Sequence, residues 1–188
     1  MGADVVPAAR AGEASAEALS IAVELVTGRG RDWWPRPGRV FAASAAHTFA
    51  EFAEAVDVAF GRWDLGHLRM FVLPGGVQVS LSAWRAGPAF PGTRDGRSCR
   101  LEMLRPGMSF AYVFDLGEDW THLCTVSRAA DTCPAPPRAP RPVGGWGNLP
   151  DQYGRSMPGE PPEACPDRRS TAILGDLPPL LPLWGRRA

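Results

Sequence analysis

The chain contains no lysine; all 20 basic residues among its 188 are arginine. A Walker A phosphate loop, a Schiff-base enzyme and a Ser–Lys dyad each need a lysine amine, so all three are excluded. With Ala, Gly and Pro abundant, the arginine-only usage fits GC-rich coding better than selection for bidentate recognition. Cysteine is scarce, and Cys99, Cys124, Cys133 and Cys165 form no CxxC pair, which argues against a zinc ribbon or thioredoxin-type motif. GxSxG, HExxH, GxGxxG and EF-hand patterns are absent as well. No apolar run approaches the roughly 18 residues of a membrane span. Asp4 and Glu13 occupy an N-terminus without the basic flank and apolar core of a signal peptide. Nor is there an excess of either charge: 20 basic and 20 acidic residues cancel, which argues against gripping nucleic acid through a broad positive field. A cytoplasmic protein with reduced thiols and no membrane partner is the expectation.

An apolar content of 45% is enough for a real core, while 20 Pro and 21 Gly are about twice average usage and predict long loops. The length suits one domain with additions. Four segments emerge: a flexible N-terminal arm (1–18), a core (19–128), a Pro-rich linker with the WGNLPDQYGR segment (129–155), and an extended Pro-rich tail (156–188) containing LPPLLPLW.

Within the core, LSIAVELV alternates Ile21, Val23 and Leu25 against Glu24 and predicts a strand from Leu19. GRGRDWWPRPG reads as a loop and Arg39 to Ala43 as a short strand. Thr48 and Glu51 form a capping box. Behind it Phe49, Phe52, Ala53, Val56 and Phe60 make one helical stripe, with Glu51, Glu54 and Asp57 assigned to the outward side and Gly61 ending the helix. His47, just before it, reads as a surface or boundary residue. Strands are expected at His67 to Leu73 and Val77 to Trp84, then an exposed loop over residues 86–98. SFAYVFD and WTHLCTVSR flank LGED as a hairpin. The fold class is therefore α+β: a compact roll of mixed, mainly antiparallel strands on one main helix, with an irregular Pro-rich C-terminal extension.

FDLGEDWTH gathers the chemistry. Asp115, Glu118, Asp119, Trp120 and His122 crowd one turn, and Trp120, His122 and Cys124 share a strand face. An acidic pair beside an imidazole suits proton transfer or a divalent cation, making Asp115, Asp119 and His122 the candidate catalytic residues. The bland alternative has the Asp side chains bonding turn amides and His122 sitting satisfied in the core. His67 stands at the start of its strand. If that strand lies beside the hairpin, His67, His122 and Asp119 become candidate ligands for zinc or iron. Trp120, Arg39 and His67 are candidate binding residues. No cofactor other than such a divalent metal is expected.

FDLGEDWTH resembles the aromatic-Asp-Phe-Gly-Asp-Asp-Trp-x-His signature of the plasmid (pRi) ORF-three-like family, some members of which carry a TnpR-like label. AFGRWDLGHLRMFVL is similar to that family's Gly-Trp turn leading into a His-Leu strand, and GWGNLPDQYGR to a C-terminal box of a subset of relatives. The resemblance runs from about Leu19 to Arg155 and places Asp115, Gly117, Asp119, Trp120 and His122, with His67 and Phe71, on motif positions. Leu116 stands where Phe is usual and Glu118 where Asp is usual; WWPRPGRVF lacks a clean Trp-Arg-Arg. The resemblance implies a compact α+β roll and no defined reaction. Recombinase chemistry is disfavoured, because no basic helix pair follows the core and a tyrosine recombinase needs a lysine. Three readings stay open: a small binding or interaction module with a polar groove at this hairpin and a protein partner, a metal-assisted hydrolase using His67, His122, Asp115 and Asp119, and a DNA-handling protein of mobile elements.

Overall fold

In the computed structural model, which describes residues 17–129 and 136–154, the alternation of Leu19, Ile21, Val23 and Leu25 builds β1 (Ala18–Gly28) with those four side chains fully buried. Expectations for the N-terminal arm, for the Pro-rich tail and for Cys133 and Cys165 lie outside the described residues. β2 (Arg31–Asp32) turns back on the end of β1, and β3 (Gly38–Ser44) pairs with β1 over its whole length. The helix α1 (Phe49–Ala59) follows. The remaining strands are β4 (Arg69–Val72), β5 (Gln78–Leu81), β6 (Arg94–Asp95), β7 (Ser109–Phe114), β8 (Trp120–Arg128) and β9 (Arg141–Trp146).

The nine strands form one sheet in the order β6-β5-β4-β7-β8-β1-β3-β9, with β2 attached to β1. Every pairing is antiparallel except β5 with β6. The α+β expectation holds. One sheet face packs on α1 through an aromatic layer in which Phe71 stacks on Tyr112 at 4.6 Å and Phe49 meets Phe71 edge-on at 4.9 Å. The other face carries a smaller cluster of Met70, Val72, Ala111, Val113 and Leu116, covered by Phe90.

Both halves of the capping box are present: the Thr48 hydroxyl accepts from the Glu51 amide, and the Glu51 carboxylate accepts from the Thr48 amide at 2.6 Å. Thr48→Ala is expected to cost about 1 kcal/mol in urea unfolding, without a change in fold. His47 is buried rather than superficial, because its Nδ1 accepts the Ser44 amide at 3.0 Å and locks the turn from β3 into the helix.

Two further features depart from the sequence reading. Asp57, assigned outward, is 1% exposed. It lies on the same stripe as Phe49, Phe52, Ala53, Val56 and Phe60, so helical geometry turns it inward. The Pro-rich stretch also contains β9, an edge strand against β3 in which Pro142 sits opposite Phe41 at a register shift. An edge strand tolerates a residue without an amide donor, since one side of its ladder is unpaired anyway.

Candidate functional site

The polar residues gather where α1 ends. Gly61 takes a left-handed φ of 69°, letting the chain leave the helix and run through Arg62 to His67 into β4. The β7–β8 hairpin reaches the same end. Its turn requires Asp115 and Asp119 at φ of 52° and 54°, a conformation that Asp tolerates better than most residues. The third contributor is the segment 149–153. Buried Gln152 accepts the amides of Trp63 and Asp64 at 3.0 and 3.1 Å, and donates to the Asp64 carbonyl at 2.9 Å. That side chain pins the end of the WGNLPDQYGR segment across the helix exit.

His67 stands at the junction, three-quarters covered. Its Nδ1 lies 3.2 Å from Asp115 Oδ2, and its Nε2 lies 2.9 Å from the Tyr153 hydroxyl and 3.5 Å from Asp64 Oδ2. The ring packs edge-on against Phe114. Tyr153 donates to Asp64 at 2.8 Å; this bond pushes the phenol up to about 12 and, with the Gly66 amide, holds the Asp64 carboxyl below its usual range. Asp115 uses its other oxygen on the Gly117 and Glu118 amides, so it is both a turn clamp and a partner of His67.

The other sequence candidates serve elsewhere. Asp119 ties the hairpin to β1: its Oδ1 accepts Thr121 at 2.7 Å and its Oδ2 accepts Thr27 at 3.4 Å, and burial raises its carboxyl. His122 is fully buried between Phe60 (4.7 Å) and Tyr112 (5.5 Å), with Nδ1 3.2 Å from the Tyr112 carbonyl. Burial, assisted by the nearby Arg62 charge, pushes its imidazole down to about 3. His67 and His122 therefore answer to different neighbours, and among the described residues no three His, Cys, Asp or Glu side chains stand together as a metal cage. Trp120 is buried too, its six-membered ring against Gly28, where a Cβ would come within 2.1 Å of Cε3. Arg39 bonds the carbonyls of Gly38 and Trp146 and fastens β3 to β9. Buried Cys124 has its thiol raised by burial and is unreactive.

The sequence reading missed a buried ionic group behind this surface. Asp57 receives the Tyr112 hydroxyl at 2.6 Å and Arg69 Nε at 2.7 Å. Burial raises its carboxyl to about 6, against the opposing pull of those two donors. Arg69, which burial alone would lower, is held above its ordinary value by Asp57. Arg69 alternates with Phe71 on β4, and that two-residue period is the signal that would have placed it on the inner face.

Among the described residues, a nine-stranded mixed sheet with one α-helix and a polar cluster at the helix exit defines an α+β protein. The chain belongs to the plasmid pRiA4b ORF-3-like protein family, whose model matches residues 21–155. Comparison with curated proteins gives no match. Among solved structures, a protein of unknown function from Methanosarcina mazei Go1 is similar, with a TM-score of 0.51 and 14% identity over 69% of each chain; at that identity the likeness is one of fold. Among the described residues no helix is long and apolar enough to cross a membrane.

Proposed function

We propose that this chain is a small cytoplasmic binding module whose recognition surface is the His67–Asp64–Asp115–Tyr153 cluster, with a protein as its partner. The observation that carries the reading is the position of His67. Its two ring nitrogens join the hairpin to the segment 149–153, and it remains a quarter exposed while Asp115 and Gln152 beside it are buried. Asp64 is more open still. Trp63 and Trp84, 51% and 72% exposed, flank it, the Trp84 Nε1 lying 4.0 Å from where a Gly66 Cβ would stand. Exposed indoles beside a polar cluster are the composition of interface anchors.

A metal-assisted hydrolase on His67, His122, Asp115 and Asp119 finds no support in this geometry, since His122 and Asp119 point to other partners. Capture of partners by wild type and by a His67→Ala/Asp115→Asn variant tests the reading. The variant keeps an amide oxygen for the turn, so it is expected to fold and to lose the partner by about tenfold or more, the effect of about 1.4 kcal/mol at an anchor. Equal retention by both proteins sinks the proposal.

A further inference from the structure

The outward stripe of α1 is not wholly polar. Glu51, Glu54, Ala55 and Val58 recur at the spacing of one helical face, and Val58 is 69% exposed. Pro140 and Pro142, around the start of β9, stand across from that stripe, and the two walls bound an open groove of about 380 Å³. Its floor is aliphatic, made by Ala55, Val58, Ala59 and the two proline rings. The charges that line it are the carboxylates of Glu51 and Glu54; Arg138 and Arg141, the basic residues nearest in sequence to the proline wall, do not line it. An apolar channel with acidic groups toward the N-terminal end of α1 calls for an apolar ligand that is positive at one end.

The chain carries such a ligand outside its described residues. Residues 177–187 read LPPLLPLWGRR, an apolar run of leucine, proline and Trp184 followed by Arg186 and Arg187. The segment 1–16 offers no leucine and sets Asp4 and Glu13 against Arg10, so it matches neither the walls nor the charge. Proline fixes φ, and LPPLLPLW therefore loses less entropy on binding than an ordinary coil. The reach is sufficient. Gly154 is the last described residue before this segment, and Gln152 accepts the Trp63 and Asp64 amides just past the end of α1. Residues 155–176 can span up to about 70 Å, against roughly 12 Å of helix between Ala59 and Glu51. A segment entering from the Ala59 end brings its arginines last, to Glu54 and Glu51. We propose that residues 177–187 dock in the groove between α1 and β9 of the same chain, leucine and proline side chains against Ala55, Val58 and Pro142, and Arg186 and Arg187 beside Glu51 and Glu54. The groove shares no residue with the His67 cluster, so this proposal and the surface reading can each fail alone.

The test is nuclear Overhauser spectroscopy on the full chain with labelled methyl groups. Cross-peaks are expected from the Val58 methyls to leucine methyls of residues 177–184. In an equal mixture of labelled and unlabelled chains, isotope-filtered spectra are expected to show none between molecules. Leu181→Asp/Leu183→Asp is expected to lower the cross-peak intensity by about tenfold or more, since each buried leucine contributes about that factor. The same variant is expected to move the Ala55, Val58 and Ala59 methyl signals and to leave that of Thr125, exposed on β8, in place. Arg186→Glu/Arg187→Glu is expected to lower the intensity by about threefold, the scale of exposed ion pairs, and Glu54→Arg added to it to restore the intensity. The tail substitutions lie outside the packed core and Glu54 is exposed, so the fold is kept in each variant. A wild type without these cross-peaks overturns the proposal, as do cross-peaks that arise only between molecules, which assign the groove to a second copy. Undiminished intensity in either tail variant overturns it too.

Discussion

Asp57→Ala is expected to lower the unfolding free energy by about 3–5 kcal/mol, among the largest losses a single substitution can cause in this fold. The carboxylate is 1% exposed and is the hydrogen-bonding partner of Arg69 Nε and of the Tyr112 hydroxyl. Its removal leaves a mostly buried guanidinium and a fully buried phenol without their acceptor, and the stranded charge outweighs the lost packing. Paired removal reverses the argument. An Asp57→Leu/Arg69→Met variant takes out both charges and fills the space with apolar atoms, so it is expected to recover most of the loss. Urea unfolding of the two variants measures the difference. An Asp57→Ala chain within about 1 kcal/mol of wild type would show that Arg69 is hydrated rather than dependent on Asp57.

The second large effect is in the pH dependence of stability. His122 has an ordinary value of 6.5, pushed down to about 3 by burial and by Arg62. Between those values the unfolded chain binds a proton that the folded chain refuses, so this contribution is present above pH 6.5 and is lost as the pH falls to 3. Asp57 acts in the opposite sense. Its carboxyl is raised by burial from 3.8 to about 6, so its contribution is complete below pH 3.8 and lost as the pH rises to 6. The two slopes oppose each other over the shared window, and only the His122 loss remains below it. In His122→Phe, whose ring suits the contacts with Phe60 and Tyr112, the acid loss disappears at a cost of about 1 kcal/mol for the bond to the Tyr112 carbonyl. Relative to wild type, its stability is expected to climb by about 1.4 kcal/mol per pH unit as the pH falls from 6.5 toward 3. Urea titrations at pH 7, 6, 5 and 4 read this slope; parallel profiles for the two proteins would show that His122 accepts its proton inside the fold.

Elements governed by local periodicity were legible in the sequence. The alternation in β1, the Thr48–Glu51 box and the aromatic alternation flanking LGED each specify an element without help from distant residues. β9 was not legible, because its pairing with β3 is long-range and Pro142, Gly144 and Gly145 argue locally for a loop. The candidate site divides similarly. The meeting of His67 with Asp115 was foreseen on the condition that β4 lies beside the hairpin, and β4 does pair with β7. The inward direction of His122 was also visible, since it shares a face with Trp120 and Cys124. Expecting His67 to join it ignored that His67 lies beyond the start of β4, level with the turn and not with the middle of β8. The role of Gln152 was invisible: its bonds cross 88 and 89 positions, and nothing near it in the chain signals them.

The central claim is that partners meet the His67 end of the sheet. Photo-crosslinking from single positions tests it most directly, with the reactive group at Trp84 on the rim of the cluster or at exposed Glu102, which sits beside the start of α1. The account predicts a discrete adduct from position 84, absent from position 102 and abolished by His67→Ala. Adducts of equal yield from both positions, or an adduct from position 84 that survives His67→Ala, would contradict it.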